Sequence, residues 1–155
     1  MNADQPRDPG RQQLPHDIPL WITPEREFYF ITINCAERGT NQLAHPEVAK
    51  ELFASIKFRT ERGDWFQHLV LLMSDHLHAI FQFPASKKSF RETISDWKRW
   101  TSRQLGIRWQ RDFFEHRLRG DEPWRQKADY ILENPVRAGL VTKPEGWPYV
   151  WFPSR

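Results

Sequence analysis

The alternation of apolar and polar residues predicts a first strand at residues 28–34 and two more at residues 66–73 and 76–83. The first segment, FYFITIN, is rich in aromatic and β-branched residues, and the third, HLHAIFQF, alternates along its length. Ser74-Asp75 lies between the second and third strands and predicts a tight turn. These segments therefore predict most of an antiparallel sheet.

Two helices are predicted before and after this strand pair. The first begins at Pro46 and ends at Gly63. The second follows a capping box formed by Ser89 and Glu92 and extends to about Leu105. Each helix carries apolar residues at helical spacing, which predicts that one of its faces packs on the sheet.

A fourth strand is predicted at residues 109–119, and a last helix from Asp121 through Tyr130. Asn134-Pro135 breaks or restarts that helix, because the residue before a proline avoids helical geometry. The order predicts an α+β, ferredoxin-like fold: an antiparallel βαββαβ sheet with helices on one face. An additional C-terminal helix would carry the tyrosine.

Composition predicts a single domain at residues 25–155, preceded by an extended, proline-rich arm at residues 1–24. The chain has 155 residues, of which 39% are hydrophobic and 28% charged, so it can bury a core of its own. The single cysteine, Cys35, excludes an internal disulfide and favours a reducing cytoplasm. We expect no membrane partner, since the chain has neither a long apolar run nor a signal-peptide pattern.

Basic residues and tryptophans concentrate between Lys87 and Arg125. This segment holds 11 Lys and Arg against 6 Asp and Glu, which leaves +5, whereas the whole chain carries +3. Cations contact phosphates and aromatic faces stack on unpaired bases, so the segment is typical of proteins that bind single-stranded nucleic acid. A solvated helix face with ordinary core tryptophans would have the same composition, and that alternative stays open.

His76 and His78 lie two residues apart in the predicted third strand, so their side chains point to the same face. Their Cα atoms are then about 7 Å apart, and the two imidazoles can converge on one cation. A polar surface pair without a metal is the alternative. The sequence has no Cys-x-x-Cys or His-Glu-x-x-His pattern, which argues against structural zinc and against a metalloprotease.

Tyr130 and Asn134 are four residues apart, a spacing that places two side chains on the same face of a continuous helix. A carboxamide oxygen can bind a hard cation, so the phenol and a metal could share one site. In the alternative interpretation, Tyr130 packs in the core and Asn134 only caps the next helical turn.

Together these motifs resemble the REP-associated tyrosine transposases. This family is part of the single-tyrosine branch of the HUH endonucleases, together with the IS200/IS605-type transposases. The resemblance covers roughly residues 26–152 and is carried by His76-Leu77-His78 and by the run YILENPVRAGLV that begins at Tyr130. Ser74-Asp75 departs from the proline and asparagine that relatives often carry there, and the chain lacks the longer basic tail of some relatives.

The resemblance implies that His76, His78 and Asn134 bind a divalent metal, Mg²⁺ or Mn²⁺, and that Tyr130 is the nucleophile. The implied function is cleavage and rejoining of single-stranded DNA at repetitive palindromic hairpins, through a covalent 5′-phosphotyrosine, by a monomer or a homodimer. The alternative is a catalytically silent, host-adopted module that binds hairpin DNA or RNA. We expect a cytoplasmic protein associated with the bacterial nucleoid.

Candidate DNA contacts are basic or aromatic residues of the charged segment and of the tyrosine motif. They are Lys98, Arg99, Trp100, Arg103, Trp109, Arg117, Arg119 and Arg137.

Overall fold

The strands and helices follow the predicted order closely. The structure is a computed structural model that describes residues 28–85, 88–118 and 121–152. Its strands are β1 (Phe28–Asn34), β2 (Phe66–Leu72), β3 (His76–Gln82), β4 (Phe114–Leu118) and β5 (Val150–Trp151). Its helices are α1 (Pro46–Arg62), α2 (Phe90–Leu105), α3 (Asp121–Leu132) and α4 (Asn134–Arg137). The predicted arm at residues 1–24 lies outside the described residues.

The five strands form one antiparallel sheet in the order β4-β1-β3-β2-β5. The central strand, β3, lies between β1, which is distant in sequence, and its hairpin partner β2. This arrangement confirms the predicted α+β class and the ferredoxin-like order of the first four strands.

Local signals at the helix ends explain where α1 and α2 begin and end. Pro46 occupies the first turn of α1, where a missing N–H costs nothing. Gly63 ends α1 in the left-handed region, with φ 89°, and its N–H caps the last carbonyls. At α2 the Ser89 hydroxyl accepts a hydrogen bond from the Glu92 N–H at 3.2 Å, as the capping box predicts.

The sheet separates two apolar clusters. On one face, α1 and α2 pack through Leu52 and Trp97 against strand residues that include Leu77 and Ala79. On the other face, α3 packs through Ala128 and Ile131 against a second group of buried strand residues. This group includes Phe30, Leu69, Leu71 and Ile80. The alternation of β3 thus sends its odd-numbered residues under α1 and α2 and its even-numbered residues under α3.

Two strands of the structure differ from the prediction. The fourth strand is restricted to Phe114–Leu118, because the chain bends at residues 111–112. Before that bend, Trp109 forms only an isolated bridge to Cys35. The structure also contains a strand that the sequence does not predict, because Val150–Trp151 extends the sheet beside β2. A two-residue strand is too short to leave a periodic signal in the sequence.

None of the helices in the described ranges is both long and apolar enough to cross a bilayer.

Candidate active site

The structure brings the two histidines of β3 together on the face that α3 covers. Their ring centroids are 4.9 Å apart and their planes lie at 80° to each other. In register with β1, His78 is opposite Thr32 and His76 is opposite Asn34. His78 is only 6% exposed, because Phe30 stacks on its ring with a centroid separation of 5.6 Å. His76 lies nearer the solvent.

Each imidazole uses its Nδ1 atom for a hydrogen bond to an oxygen. The His76 Nδ1 lies 2.7 Å from Asp75 Oδ1, and the His78 Nδ1 lies 2.8 Å from Thr32 Oγ1. With the proton on Nδ1, each ring donates to its oxygen and leaves the lone pair on Nε2 available. This pattern, in which one ring nitrogen is held by an oxygen and the other is free, is typical of histidines that bind metals.

The surroundings keep His78 neutral and Asp75 ionised. Burial, reinforced by electrostatic interactions with His76, Arg137 and Arg38, lowers the pKa of His78 to about 3. Burial raises the pKa of Asp75, but hydrogen bonds from Gly39 and His76 and the charge of Arg38 outweigh it, so that this pKa is lowered. A neutral imidazole is the form that binds a metal ion.

Tyr130 lies on α3, next to His78. Its ring centroid is 6.3 Å from that of His78 and 6.3 Å from that of Phe30, in edge-to-face geometry. The neighbouring Ile131 is fully buried against the sheet, whereas Tyr130 is 50% exposed. The alternative in which Tyr130 packs in the core is therefore wrong, and the side chain is accessible to a substrate from solvent.

Two cations flank the phenol ring. The Arg137 guanidinium carbon lies 4.2 Å from the Tyr130 ring centroid, and the Lys127 Nζ lies 5.8 Å from it. Arg137 also donates a hydrogen bond from Nη2 to the Tyr130 carbonyl at 2.6 Å. Positive charge beside an exposed hydroxyl favours the approach of a phosphodiester.

Asn134 remains one helical turn after Tyr130 despite the proline that follows it. Glu133 keeps helical dihedrals, with φ −79° and ψ −9°, and its N–H donates to the Asp129 carbonyl at 3.0 Å. The helical path therefore continues from α3 into α4, and Tyr130 and Asn134 share a face. In the part of the chain that the structure describes, the Asn134 carboxamide has no hydrogen-bond partner.

His, Cys, Asp and Glu side chains alone do not complete a metal site. Among the described residues, no group of three or more of them could hold an ion. His76 and His78 supply two nitrogen ligands, so a third protein ligand has to be of another type, such as the amide oxygen of Asn134.

The predicted DNA contacts lie in different parts of the fold. Arg137 is beside Tyr130, and Arg117 is exposed on the edge strand β4. Exposed residues of α2 lie on the opposite face of the sheet from the histidines; these are Arg99, Trp100 and Arg103. Arg119 lies outside the described residues.

Two of these candidates, Lys98 and Trp109, use their polar groups for hydrogen bonds inside the protein. Lys98 is buried, and its ammonium donates to the carbonyls of Gln110 and Arg111 at 2.7 and 2.9 Å. Trp109 packs against Trp97 and donates from Nε1 to the Thr101 hydroxyl at 2.9 Å.

Sequence reasoning missed Thr32, Asp75 and Lys127. Thr32 could be found only from the register of β1 on β3, which the sequence does not specify. Lys127 precedes Tyr130 by three residues on the same helix, a spacing that places both on one face. Asp75 is the immediate neighbour of His76, but in the sequence Ser74-Asp75 indicates only a turn.

Comparison with known proteins confirms the resemblance inferred from the motifs. The chain is 29% identical over 126 residues to the REP-associated tyrosine transposase of Escherichia coli (strain K12), which covers 80% of this chain and 75% of that protein. A relative from Haemophilus influenzae, named for the same kind of transposase, is 29% identical over 141 residues, with 80% and 78% covered. No family model matches the chain.

One solved structure supports the fold independently. It is the structure of a REP-associated tyrosine transposase bound to a REP hairpin, with a TM-score of 0.71 and 23% sequence identity. The match covers 86% of this chain and 81% of that one. The two proteins therefore share the same architecture.

Proposed function

We propose that this chain is a metal-dependent endonuclease and strand transferase that cleaves single-stranded DNA at palindromic hairpins, with Tyr130 as its nucleophile. The observation that carries the proposal is the position of the half-exposed Tyr130 phenol beside His78, with the His76 ring next to it. A nucleophile and a pair of metal-type ligands thus face the same space between α3 and the sheet.

The residues present fit a hard divalent cation such as Mg²⁺ or Mn²⁺. Both Nδ1 atoms are held by oxygens, so His76 and His78 can each offer Nε2, and the Asn134 carboxamide can offer an oxygen. Nitrogen and amide oxygen ligands suit Mn²⁺, and the oxygen suits Mg²⁺. When bound, the ion supplies positive charge that polarises a non-bridging oxygen of the scissile phosphate.

The chain's own residues account for the remaining chemistry. The Tyr130 oxygen attacks phosphorus in line with the leaving 3′ oxygen, so that one P–O bond forms as another breaks. The 5′ phosphate stays on Tyr130, and the released 3′ oxygen gains a proton as the phenol loses one. A neutral phenol is a weak nucleophile, so its proton has to leave as the P–O bond forms. Arg137 and Lys127 lie close enough to the ring to bring positive charge beside the phosphate. Since the number of phosphate ester bonds is conserved, the reverse reaction can rejoin a strand.

The substrate is inferred from the relatives. Two of them are named REP-associated tyrosine transposases, and the solved relative is bound to a REP hairpin. We assign the same class of target, hairpin DNA with adjacent unpaired bases, to this chain. The exposed cation Arg137, which lies beside Tyr130, favours a polyanionic partner.

A denaturing gel tests the proposal. The hairpin DNA carries a label on the segment that lies 3′ of the cleavage site. Incubated with the protein and Mn²⁺, it should yield a labelled covalent protein adduct. Tyr130→Phe should abolish the adduct and keep DNA binding, and Tyr149→Phe, a half-buried tyrosine packed on Trp147, should leave adduct formation unchanged. Tight binding of uncut DNA by the wild-type protein would support the silent binding module instead.

A further inference from the structure

The Asp75 carboxylate links His76 of β3 to the segment that connects β1 and α1. Its Oδ1 atom accepts a hydrogen bond from His76 Nδ1 at 2.7 Å, and its Oδ2 atom accepts one from the Gly39 N–H, also at 2.7 Å. The Arg38 Nε lies 3.4 Å from the same Oδ2. Both oxygens are thus engaged, and the Asp75 side chain is only 15% exposed.

The backbone on either side of this carboxylate is also fixed. The Asp75 carbonyl accepts a hydrogen bond from the N–H of Cys35, a fully buried residue directly after β1. Gly39 has φ +84°, a conformation that other residues rarely adopt, and it presents its N–H to the carboxylate. The orientation of Asp75 is therefore determined by contacts that do not involve His76.

The two histidines differ in the kind of oxygen that holds them. A carboxylate can only accept a hydrogen bond, so His76 must carry its proton on Nδ1 to make this contact. The Thr32 hydroxyl beside His78 can either donate or accept, and it leaves the tautomer of that ring open.

We propose that Asp75 is a positioning residue that fixes the tautomer and the ring orientation of His76, so that its Nε2 lone pair faces the site. The use of that lone pair for a metal rests on the proposed function; the control of the tautomer does not. A carboxylate partner also makes the other ring nitrogen a stronger ligand.

Asparagine cannot replace this carboxylate, although it has nearly the same shape. An amide has one accepting oxygen, whereas both the His76 and Gly39 N–H groups need an acceptor. In Asp75→Asn the amide NH₂ group must face one of these two donors. The isosteric variant thus removes one hydrogen bond without creating a cavity.

Long-range ¹⁵N correlation spectra of the imidazoles in metal-free protein test the proposal directly. In the wild type we expect His76 to be in the Nδ1–H form, and in Asp75→Asn we expect a mixture of both tautomers. An Nε2–H tautomer in the wild type, which requires no variant to observe, would overturn the proposal. So would an unchanged His76 signal in a folded Asp75→Asn protein.

Calorimetric titration with Mn²⁺ measures the consequence for binding. Asp75→Asn should weaken Mn²⁺ binding about tenfold. The matched control is Glu37→Gln, which removes the same charge from the same connection but from a carboxylate that pairs with Arg108; its Mn²⁺ affinity should equal that of the wild type. Equal weakening in both variants would overturn the proposal, since a general charge effect would then explain it. A wild-type protein that binds no Mn²⁺ would contradict the metal site of the proposed function and leave the tautomer result to decide the role of Asp75.

Discussion

The guanidinium of Arg137 stacks on the ring of Tyr130, with 4.2 Å between the guanidinium carbon and the ring centroid. The same side chain donates to the Tyr130 carbonyl at 2.6 Å. Arg137 thus holds both the ring and the backbone of the proposed nucleophile. Because α4 begins two residues after α3 ends, this contact also joins the two helices.

Arg137→Lys should slow the formation of the covalent adduct about tenfold, because lysine keeps the charge but loses the flat, stacked and hydrogen-bonded contact. Single-turnover measurements at saturating hairpin DNA isolate this step from binding. The matched control is Arg62→Lys, whose guanidinium carbon lies 5.8 Å from the Phe58 ring centroid on α1. Equal adduct rates for Arg137→Lys and the wild type would show that the stacked contact does not position the phenol.

Ile131→Ala should separate the phenol from the histidines without affecting the histidines themselves. Ile131 is fully buried between α3 and the sheet, so its truncation should cost about 2–5 kcal/mol of unfolding free energy. Adduct formation should fall by more than the loss of folded protein explains, whereas Mn²⁺ affinity should be retained. Urea unfolding and calorimetry measure the two effects.

The control for this variant is Ile56→Ala, which truncates an equally buried side chain of α1 on the other face of the sheet. Ile56→Ala should lose a similar amount of unfolding free energy. Its folded fraction should form the adduct at the wild-type rate. If both variants reduced the adduct rate equally, the docking of α3 would have no specific role in placing Tyr130.

Much of the sheet could be predicted because strand alternation is a local property. The pattern of β3 alone assigns His76 and His78 to one face and Leu77 and Ala79 to the other, and the structure agrees. The burial of His78 could not be predicted, because it depends on Phe30 of β1 and on the cover that α3 provides. Both contacts come from residues distant in sequence.

The role of Lys98 shows the limit of charge patterns. In the sequence it is one of many cations of a basic segment, and a DNA contact is the natural expectation. Its environment is instead determined by where residues 110 and 111 pass over α2, which is a tertiary property. Burial lowers the pKa of Lys98, and the two carbonyls provide its hydrogen bonds.

Lys98→Gln should therefore destabilise the fold and leave DNA recognition intact. Loss of the two hydrogen bonds from a buried ammonium should lower the unfolding free energy by about 1–3 kcal/mol. The salt dependence of hairpin affinity should stay the same, because no phosphate contact is lost. The comparison variant is Arg103→Gln, an exposed cation of the same helix, which should change stability by less than about 0.5 kcal/mol. If Lys98→Gln instead showed a shallower salt dependence and unchanged stability, Lys98 would contact DNA as the sequence predicts.

His68 should make the fold sensitive to mild acid. It is 2% exposed, its Nε2 lies 2.8 Å from Gln82 Oε1, and its Nδ1 is buried without a hydrogen-bond partner. Burial lowers the pKa of His68 to about 4, although the hydrogen bond with Gln82 acts in the opposite direction. Between that value and the ordinary histidine pKa of about 6.5, the unfolded chain binds a proton that the folded chain does not. Stability is therefore complete above about pH 6.5 and falls as the pH is lowered.

We expect the His68 effect to reach up to about 2 kcal/mol between pH 6.5 and pH 5. His68→Gln removes the titrating group, so the difference between its unfolding free energies at the two pH values should be smaller than in the wild type by that amount. His116→Gln, which replaces an exposed histidine of β4, should keep the wild-type difference. Urea unfolding of the three proteins at both pH values measures this. His78 has its pKa lowered in the same direction, so His68→Gln should reduce the acid sensitivity without abolishing it. An acid response identical in His68→Gln and the wild type would mean that the buried ring takes up its proton without unfolding.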